Sequence, residues 1–72
     1  MSNVDRMVAP RPNGKWANQL ITARKATSLH NTPQEAEAAA REALSAKGGG
    51  ELVIKDASGR VRHTAIIAGR RG

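Results

Sequence analysis

Hydrophobic and polar residues follow two different spacings along the 72-residue chain. Residues 6–30 and 51–67 have a largely extended pattern, in which short apolar runs stand beside stretches that alternate at residues 25–30 and 60–65, as strands do. Between them, residues 32–48 repeat apolar positions at the helical spacings i, i+3 and i+4. The pattern therefore predicts one helix with strands before and after it.

The predicted helix carries signals at both of its ends. Thr32 has a hydroxyl that can cap the first turn, Pro33 stands where helices tolerate proline, and Glu35 completes a capping box. Lys47 suits the negative end of the helix dipole, and Gly48 can turn left-handed after the last turn. We therefore expect the helix to begin after Thr32 and to end before Gly48.

The inner face of this helix is made almost entirely of alanine. Its members are Ala36, Ala39, Ala40, Ala43 and Leu44. Since alanine buries little apolar area, the helix can lie close to the sheet, and strand residues must supply most of the core. The candidates are Trp16, Leu20, Leu29, Leu52, Ile54 and Val61. On the outer face, Glu37 and Arg41 are spaced to form an ion pair.

Turn signals divide the first extended region. Pro12-Asn13-Gly14 predicts the turn of a hairpin whose strands cover residues 6–10 and 15–21. Residues 25–30 alternate polar and apolar side chains, which predicts a third strand. The break at residues 22–24 contains neither glycine nor proline, so one long strand is the alternative there.

The second extended region predicts another hairpin. Residues 51–55 are β-branched and apolar between polar ends, as strands commonly are. Residues 56–59 form a turn, because Asp56 can bond the backbone two residues on and Gly59 tolerates positive φ. Residues 60–67 return as the last strand, with Arg60 and Arg62 on the same side.

These elements predict an α+β fold in the order β-β-β-α-β-β. Short connections favour an antiparallel sheet with one helix packed on one face. We expect a single domain over residues 6–67, with a flexible N-terminus at 1–5 and a flexible basic tail at 68–72. The other face of the sheet is then exposed or covered by a second copy of the protein.

Composition limits the stability and the chemistry of such a domain. Trp16 is the one aromatic residue, and the absence of cysteine excludes disulfides and thiolate metal sites. We therefore expect a modest monomer or a homodimer that shares a core. No apolar run is long enough to cross a membrane and no signal-peptide pattern is present, so a cytoplasmic location is expected.

The net charge of +6 points to a polyanion as partner. Arg60 and Arg62 on the last strand, together with Arg24 and Lys25 beside the third strand, can form a basic stripe across the sheet. The tail residues Arg70 and Arg71 can add phosphate contacts. The scarcity of aromatic side chains disfavours single strands, so duplex DNA or RNA is the expected ligand. The alternative is that these arginines only solvate an exposed face and protect its edge.

The sequence has little that suggests catalysis. His30 and His63 are the only histidines, and the scattered acids make a metal site improbable. Ser28 and His30 could form a nucleophile set with Asp5 or Asp56, but no oxyanion motif accompanies them. The three glycines at 48–50 follow a helix instead of opening one, so they are not a phosphate loop. We expect no enzyme, cofactor or small-molecule substrate.

Six short segments stand together in a characteristic order and spacing. They are Gly14-Lys15-Trp16-Ala17, Ala26-Thr27-Ser28-Leu29-His30-Asn31-Thr32, Gln34-Glu35-Ala36, Ala40-Arg41-Glu42, Glu51-Leu52-Val53-Ile54 and Asp56-Ala57-Ser58-Gly59-Arg60-Val61-Arg62. Through them the chain resembles, over about residues 8–62, the small bacterial family catalogued as domain of unknown function 2188.

The resemblance implies a domain of this size, which in the family is usually a whole protein. It supports the fold and brings no established activity, cofactor or catalytic residue. Many family members continue into a tail containing Tyr-Gly, whereas this chain has Thr64-Ala65-Ile66-Ile67. We therefore expect a non-catalytic basic module that binds duplex nucleic acid through an arginine-bearing sheet face. The alternative is a protein-interaction or self-assembly module.

Overall fold

The computed structural model describes residues 5–69, which form one helix and one five-stranded sheet. Most of the predicted flexible N-terminus and tail, including Arg70 and Arg71, lies outside this range. The elements are β1 (Arg6–Pro10), β2 (Trp16–Leu20), β3 (Ser28–His30), α1 (Pro33–Ala46), β4 (Gly49–Lys55) and β5 (Val61–Ala68). The α+β class, the single helix and the order of elements along the chain are therefore confirmed.

The sheet is mixed, so the prediction of an antiparallel sheet is wrong in part. Its strand order is β3-β2-β1-β4-β5, and β1 pairs in parallel with β4 while the other pairs are antiparallel. The reason is the crossover made by α1. β3 runs in the same direction as β1, since both are antiparallel to β2, and α1 returns the chain to the end of the sheet where β3 began, so β4 runs parallel to both. The chain enters β4 beyond β1, which becomes the central strand.

Both ends of α1 form as their sequence signals indicate. The Thr32 hydroxyl accepts a hydrogen bond from the Glu35 N–H at 3.1 Å. The Glu35 carboxylate accepts one from the Asn31 N–H at 3.2 Å, one residue earlier than a standard capping box. Gly48 follows the last turn with a φ of 98°. On the outer face, Arg41 Nε lies 2.9 Å from Glu37 Oε2, which confirms the predicted ion pair.

The core lies between α1 and the central strands. Leu44, Leu52 and Val8 have the largest fully buried side chains. The rest of the cluster consists of Ala36, Ala40, Ile54 and Ile67, with Trp16 and Ala65 partly buried against it. The helix thus contributes mainly small residues, and the strands contribute most of the bulk, as predicted.

Two of the predicted core residues are exposed instead. Leu29 is 52% exposed, because its register partner is Ala17, which faces away from the helix. Val61 is 61% exposed, because a register shift between Ile54 and Lys55 leaves Arg62 as an extra residue in β5. The shift pairs Val61 with Lys55 on the side away from the helix. Val8 and Ile67 are the core residues that the sequence prediction missed.

The turn after β4 is organised by Asp56. Its Oδ1 accepts hydrogen bonds from the Ser58 hydroxyl at 2.6 Å, the Ser58 N–H at 2.9 Å and the Arg60 N–H at 3.1 Å. These bonds, above all that from the Ser58 hydroxyl, hold the pKa of Asp56 below its ordinary value. A lowered folded-state pKa means that the bonds stabilise the turn above the ordinary pKa and lose this effect as the pH falls through the folded-state pKa.

We predict that Ser58→Ala raises the pKa of Asp56 toward its ordinary value, because the substitution removes the strongest of these bonds. An NMR titration of the Asp56 carboxyl carbon measures the change. Ser45→Ala on the helix is the matched control and should leave the Asp56 pKa where it is. An unchanged pKa in Ser58→Ala would contradict this account of the turn.

Candidate functional site

The sheet face turned away from α1, termed here the open face, has no helix packed on it within residues 5–69. Val8 is in the core, and its register partners Asn18 and Ile54 lie on the same face of the sheet. Because successive side chains of a strand point to opposite faces, the residues before and after these three lie on the open face. The open face comprises Met7, Ala9, Arg11, Lys15, Ala17, Gln19, Leu29, Glu51, Val53, Lys55, Val61, Thr64 and Ile66.

Arg11 is anchored on this face by neutral groups. Its Nη2 donates to Gln19 Oε1 at 2.6 Å and approaches the Arg24 carbonyl oxygen at 3.4 Å. Gln19 is only 6% exposed, and its Nε2 donates in turn to the Ala23 carbonyl oxygen at 2.9 Å. Because both acceptors of Arg11 are uncharged, its guanidinium is held in place while its positive charge is not neutralised.

A cleft of about 740 Å³ lies beside Arg11, at the β3 side of the sheet. Its walls are residues 11–13 of the β1–β2 connection and residues 24–29 of the segment that leads into and through β3. The cleft therefore brings Arg24 and Lys25, which the sequence singled out, next to Arg11, which it did not. The local sequence does not indicate Arg11 as a site residue, because Arg11 meets Arg24 only after β1 and β2 pair and the following loop folds back.

Further cations stand at the end of the open face where β1 and β4 finish. Lys15 Nζ donates a hydrogen bond to Asn31 Oδ1, again a neutral acceptor. Lys55 is the last residue of β4 and lies on the open face next to Val61. The positive charges thus frame a centre of small and apolar side chains that includes Ala9, Ala17 and Val53.

Arg60 and Arg62 do not form the predicted pair on one side of a strand. Arg60 lies in the turn before β5. Its N–H donates a hydrogen bond to Asp56 Oδ1, and its carbonyl oxygen accepts one from the Asp56 N–H. Arg62 is the extra residue of the β5 irregularity, so simple alternation does not relate it to Arg60. Both also lie at the β5 edge of the sheet, whereas Arg24 and Lys25 lie in the loop that leads into β3, the strand at the opposite edge. The predicted stripe is therefore two separate basic clusters.

The acidic residues are concentrated on the other side of the molecule. Glu35, Glu37 and Glu42 all lie on α1 and make up half of the acids in the chain. Arg41, the one cation of the helix, is paired with Glu37. The helix itself therefore carries more acidic than basic residues, while the open face carries Arg11, Lys15 and Lys55 against one acid, Glu51.

Ser28 and His30 meet beneath the helix, but in a polar network without a carboxylate. Ser28 Oγ lies 2.7 Å from His30 Nε2 and accepts from Asn18 Nδ2 at 3.2 Å. Asn18 Oδ1 accepts from Arg6 Nη1 at 3.2 Å. A nucleophilic triad needs an acid to orient its histidine, and neither predicted acid fills that place. Asp5 Oδ1 accepts from the Glu51 N–H, and Asp56 closes its own turn.

Residues 5–69 contain neither a metal-binding cluster nor a membrane-spanning helix. No three histidine, aspartate or glutamate side chains of this part of the chain stand close enough together to hold a metal ion. The helix formed by these residues is too short and too polar to cross a membrane.

A comparison with protein families shows to which family the chain is related. A family model described as "Uncharacterized protein conserved in bacteria (DUF2188)" matches residues 6–66. The chain belongs to this family. The DUF2188 match starts with β1 and ends within β5, so it covers the other five elements in full, and it confirms the resemblance drawn from the sequence. Neither the comparison with curated proteins nor the comparison with solved structures found a match.

Proposed function

We propose that this DUF2188 domain is a non-catalytic module that binds duplex nucleic acid through its open face. One observation carries the proposal, namely that Arg11 is fixed on that face by neutral acceptors at the same cleft as Arg24 and Lys25. Phosphate groups bind such cations without first displacing a carboxylate. The net charge of +6 and the acidic surplus on α1 orient the domain with its open face toward a polyanion.

The width of the sheet favours contacts with the phosphate backbone over contacts with base edges. The two basic clusters, around Arg24 and around Arg62, lie toward opposite edges of a sheet whose outer strands are about 19 Å apart. The major groove is about 12 Å wide, so a face of this width lies across a groove and contacts the strands that border it. We therefore expect little sequence specificity.

The remaining cations have supporting roles in the proposal. Lys15 and Lys55 lie between the clusters, and Arg60 lies beyond β5. The tail residues Arg70 and Arg71 add phosphate contacts. The single aromatic residue, Trp16, packs against the core, which leaves none to stack on unpaired bases and favours a duplex over a single strand. The proposal includes a cytoplasmic location. A chain without cysteine is compatible with that reducing compartment, because it needs no disulfide.

The proposal is tested by fluorescence anisotropy with a labelled DNA duplex at about 50 and about 200 mM salt. Wild-type protein should bind at low micromolar concentration in the lower salt and lose affinity steeply in the higher. The double variant Arg24→Gln/Lys25→Gln should bind about tenfold more weakly, with a salt slope smaller by about 2, because two phosphate contacts are lost.

The matched control is Arg41→Gln/Lys47→Gln, which removes the same charge from α1 and its C-terminal cap. It breaks only an exposed ion pair, which costs about 0.3–0.5 kcal/mol, so the fold should persist. Its affinity for the duplex should stay close to that of the wild type. Absence of binding by wild-type protein, or equal losses in the two double variants, would overturn the proposal.

Self-assembly is the second candidate function, and a separate observation favours it. Ile66 is 79% exposed on β5, which forms one edge of the sheet. This edge and the cleft with Arg24 lie at opposite sides of the sheet, so the two functions are compatible.

A further inference from the structure

The edge formed by β5 differs from the edge formed by β3. β3 has three residues, whereas β5 has eight and is the longest strand of the sheet. Within the described residues β4 is the only strand that pairs with β5, so its other side presents backbone N–H and C=O groups to solvent. Such an edge is a template for another strand unless the sequence protects it.

The protection of β5 is confined to its beginning. There Arg62 is the extra residue that interrupts the ladder with β4, and its charge opposes pairing with a strand that offers no acid nearby. From His63 to Ala68 the strand contains no lysine, arginine, acid, proline or glycine. Ile66 is 79% exposed within this segment. A stretch of this composition, uncharged and rich in β-branched residues, readily pairs with another strand.

We propose that β5 is the interface of a homodimer, in which it pairs antiparallel with β5 of a second copy about a two-fold axis at Thr64. A polyanion is a poor occupant of this edge, since residues 63–68 carry no lysine or arginine. A second copy fits, because the two-fold pairing uses the same segment twice and brings no like charges together. In this register Arg62 lies opposite Ile66 of the other copy, and the two Arg62 residues lie at opposite ends of the paired segment.

Charge complementarity across the axis supports this register. Within each sheet Ile66 pairs with Glu51 on the open face. Glu51 is exposed, and within residues 5–69 no cation forms an ion pair with its carboxylate. Arg62 of one copy is two strand spacings, about 10 Å, from Glu51 of the other. The extended arginine and glutamate side chains together cover this distance, so the dimer has two symmetry-related ion pairs.

The dimer has two physical consequences. A single pair of eight-residue strands forms an interface smaller than the standard size of about 1,600 Å², so we expect a dissociation constant in the micromolar range. A two-fold axis perpendicular to the sheet also keeps both open faces on one side of a continuous ten-stranded sheet. The dimer therefore presents two copies of the cleft with Arg11, Arg24 and Lys25, but its existence does not depend on nucleic-acid binding.

Sedimentation velocity of the full chain at about 1 to 200 µM tests the interface. The wild type should shift with concentration from 7.6 kDa to twice that mass. Arg62→Glu and Glu51→Arg should each weaken dimerisation about tenfold, because each places like charges across both symmetry-related contacts. The double variant Arg62→Glu/Glu51→Arg reverses both charges and should restore the dimer.

Two further variants separate the interface from effects on folding. Ile66→Lys places a charge on an exposed side chain of β5, so it should abolish the dimer while circular dichroism shows the native fold. Leu29→Lys makes the same change on β3, at the other edge, and should dimerise as the wild type does. A wild type that stays at 7.6 kDa throughout, or a charge-swapped double variant no better than the single ones, would overturn the proposal.

Discussion

Replacing Leu44 with alanine should lower the free energy of unfolding by about 3 kcal/mol. Leu44 is fully buried and is the one large apolar side chain that α1 contributes to the core. Its neighbours in the cluster on the helix are Ala36 and Ala40, whose side chains are too short to move into the space it leaves. The cavity therefore persists, and the cost includes the lost contacts as well as the lost burial.

The size of the domain makes this loss severe. A chain of 72 residues is expected to have a total stability of roughly 4–11 kcal/mol, so one truncation removes a large part of it. Urea unfolding followed by circular dichroism measures the change. We expect a lower midpoint at an unchanged slope, since the surface exposed on unfolding is nearly the same.

Leu29→Ala is the matched control for Leu44→Ala. It is the same truncation at a leucine that is 52% exposed on the open face. Its cost should be below about 1 kcal/mol, because little burial and no cavity are involved. Equal losses in the two variants would contradict the placement of Leu29 outside the core, which is a correction of the sequence prediction.

Replacing Gly49 with alanine should destabilise the domain by about 2–5 kcal/mol. Gly49 opens β4 with a φ of 95°, a left-handed value that disfavours any residue with a Cβ. An added Cβ would also lie 2.5 Å from the Ile67 carbonyl oxygen and 2.8 Å from the Gly69 nitrogen. These are backbone atoms of the chain at the end of β5, so they cannot rotate away as a side chain does.

Gly48→Ala provides the control, because it separates the effect of φ from that of the contact. Gly48 has a φ of 98°, nearly that of Gly49, but no atom lies within 4 Å of a Cβ built on it. Its substitution should cost only about 1–2 kcal/mol, the penalty for the left-handed conformation. Thermal unfolding of both variants measures the difference, and equal melting temperatures would rule out the close approach of β4 and β5 at this point.

The helix and the glycines that follow it show how much of this region could be predicted from the sequence. Thr32, Glu35 and Gly48 mark the ends of α1 because capping depends on groups within a few residues of one another. The Glu37–Arg41 pair follows from helical spacing in the same way. The sequence assigns Gly49 only to a chain reversal, whereas its contact with Ile67 and Gly69 exists only once β5 has paired with β4.

The candidate site was predictable to a smaller extent. Arg24 and Lys25 were identified from charge and from their place beside β3, and the structure puts both at one cleft. Arg11 was missed because its partner Gln19 lies on the neighbouring strand and its second contact, the Arg24 carbonyl, lies in the following loop. Arg62 was misplaced because alternation assumes a regular strand, and the irregularity opposite Lys55 breaks it.

Local signals in the amino-acid sequence were enough to determine the helix, its caps, the two hairpin turns and the small-residue inner face of α1. These features involve residues close together in the chain, and their energies do not depend on which strands become neighbours. The central position of β1 and its parallel pairing with β4 depend on contacts between residues more than forty positions apart. The positions of Leu29, Val61 and Arg11 depend in the same way on the pairings β2–β3, β4–β5 and β1–β2, because strand register determines which side chains share a face.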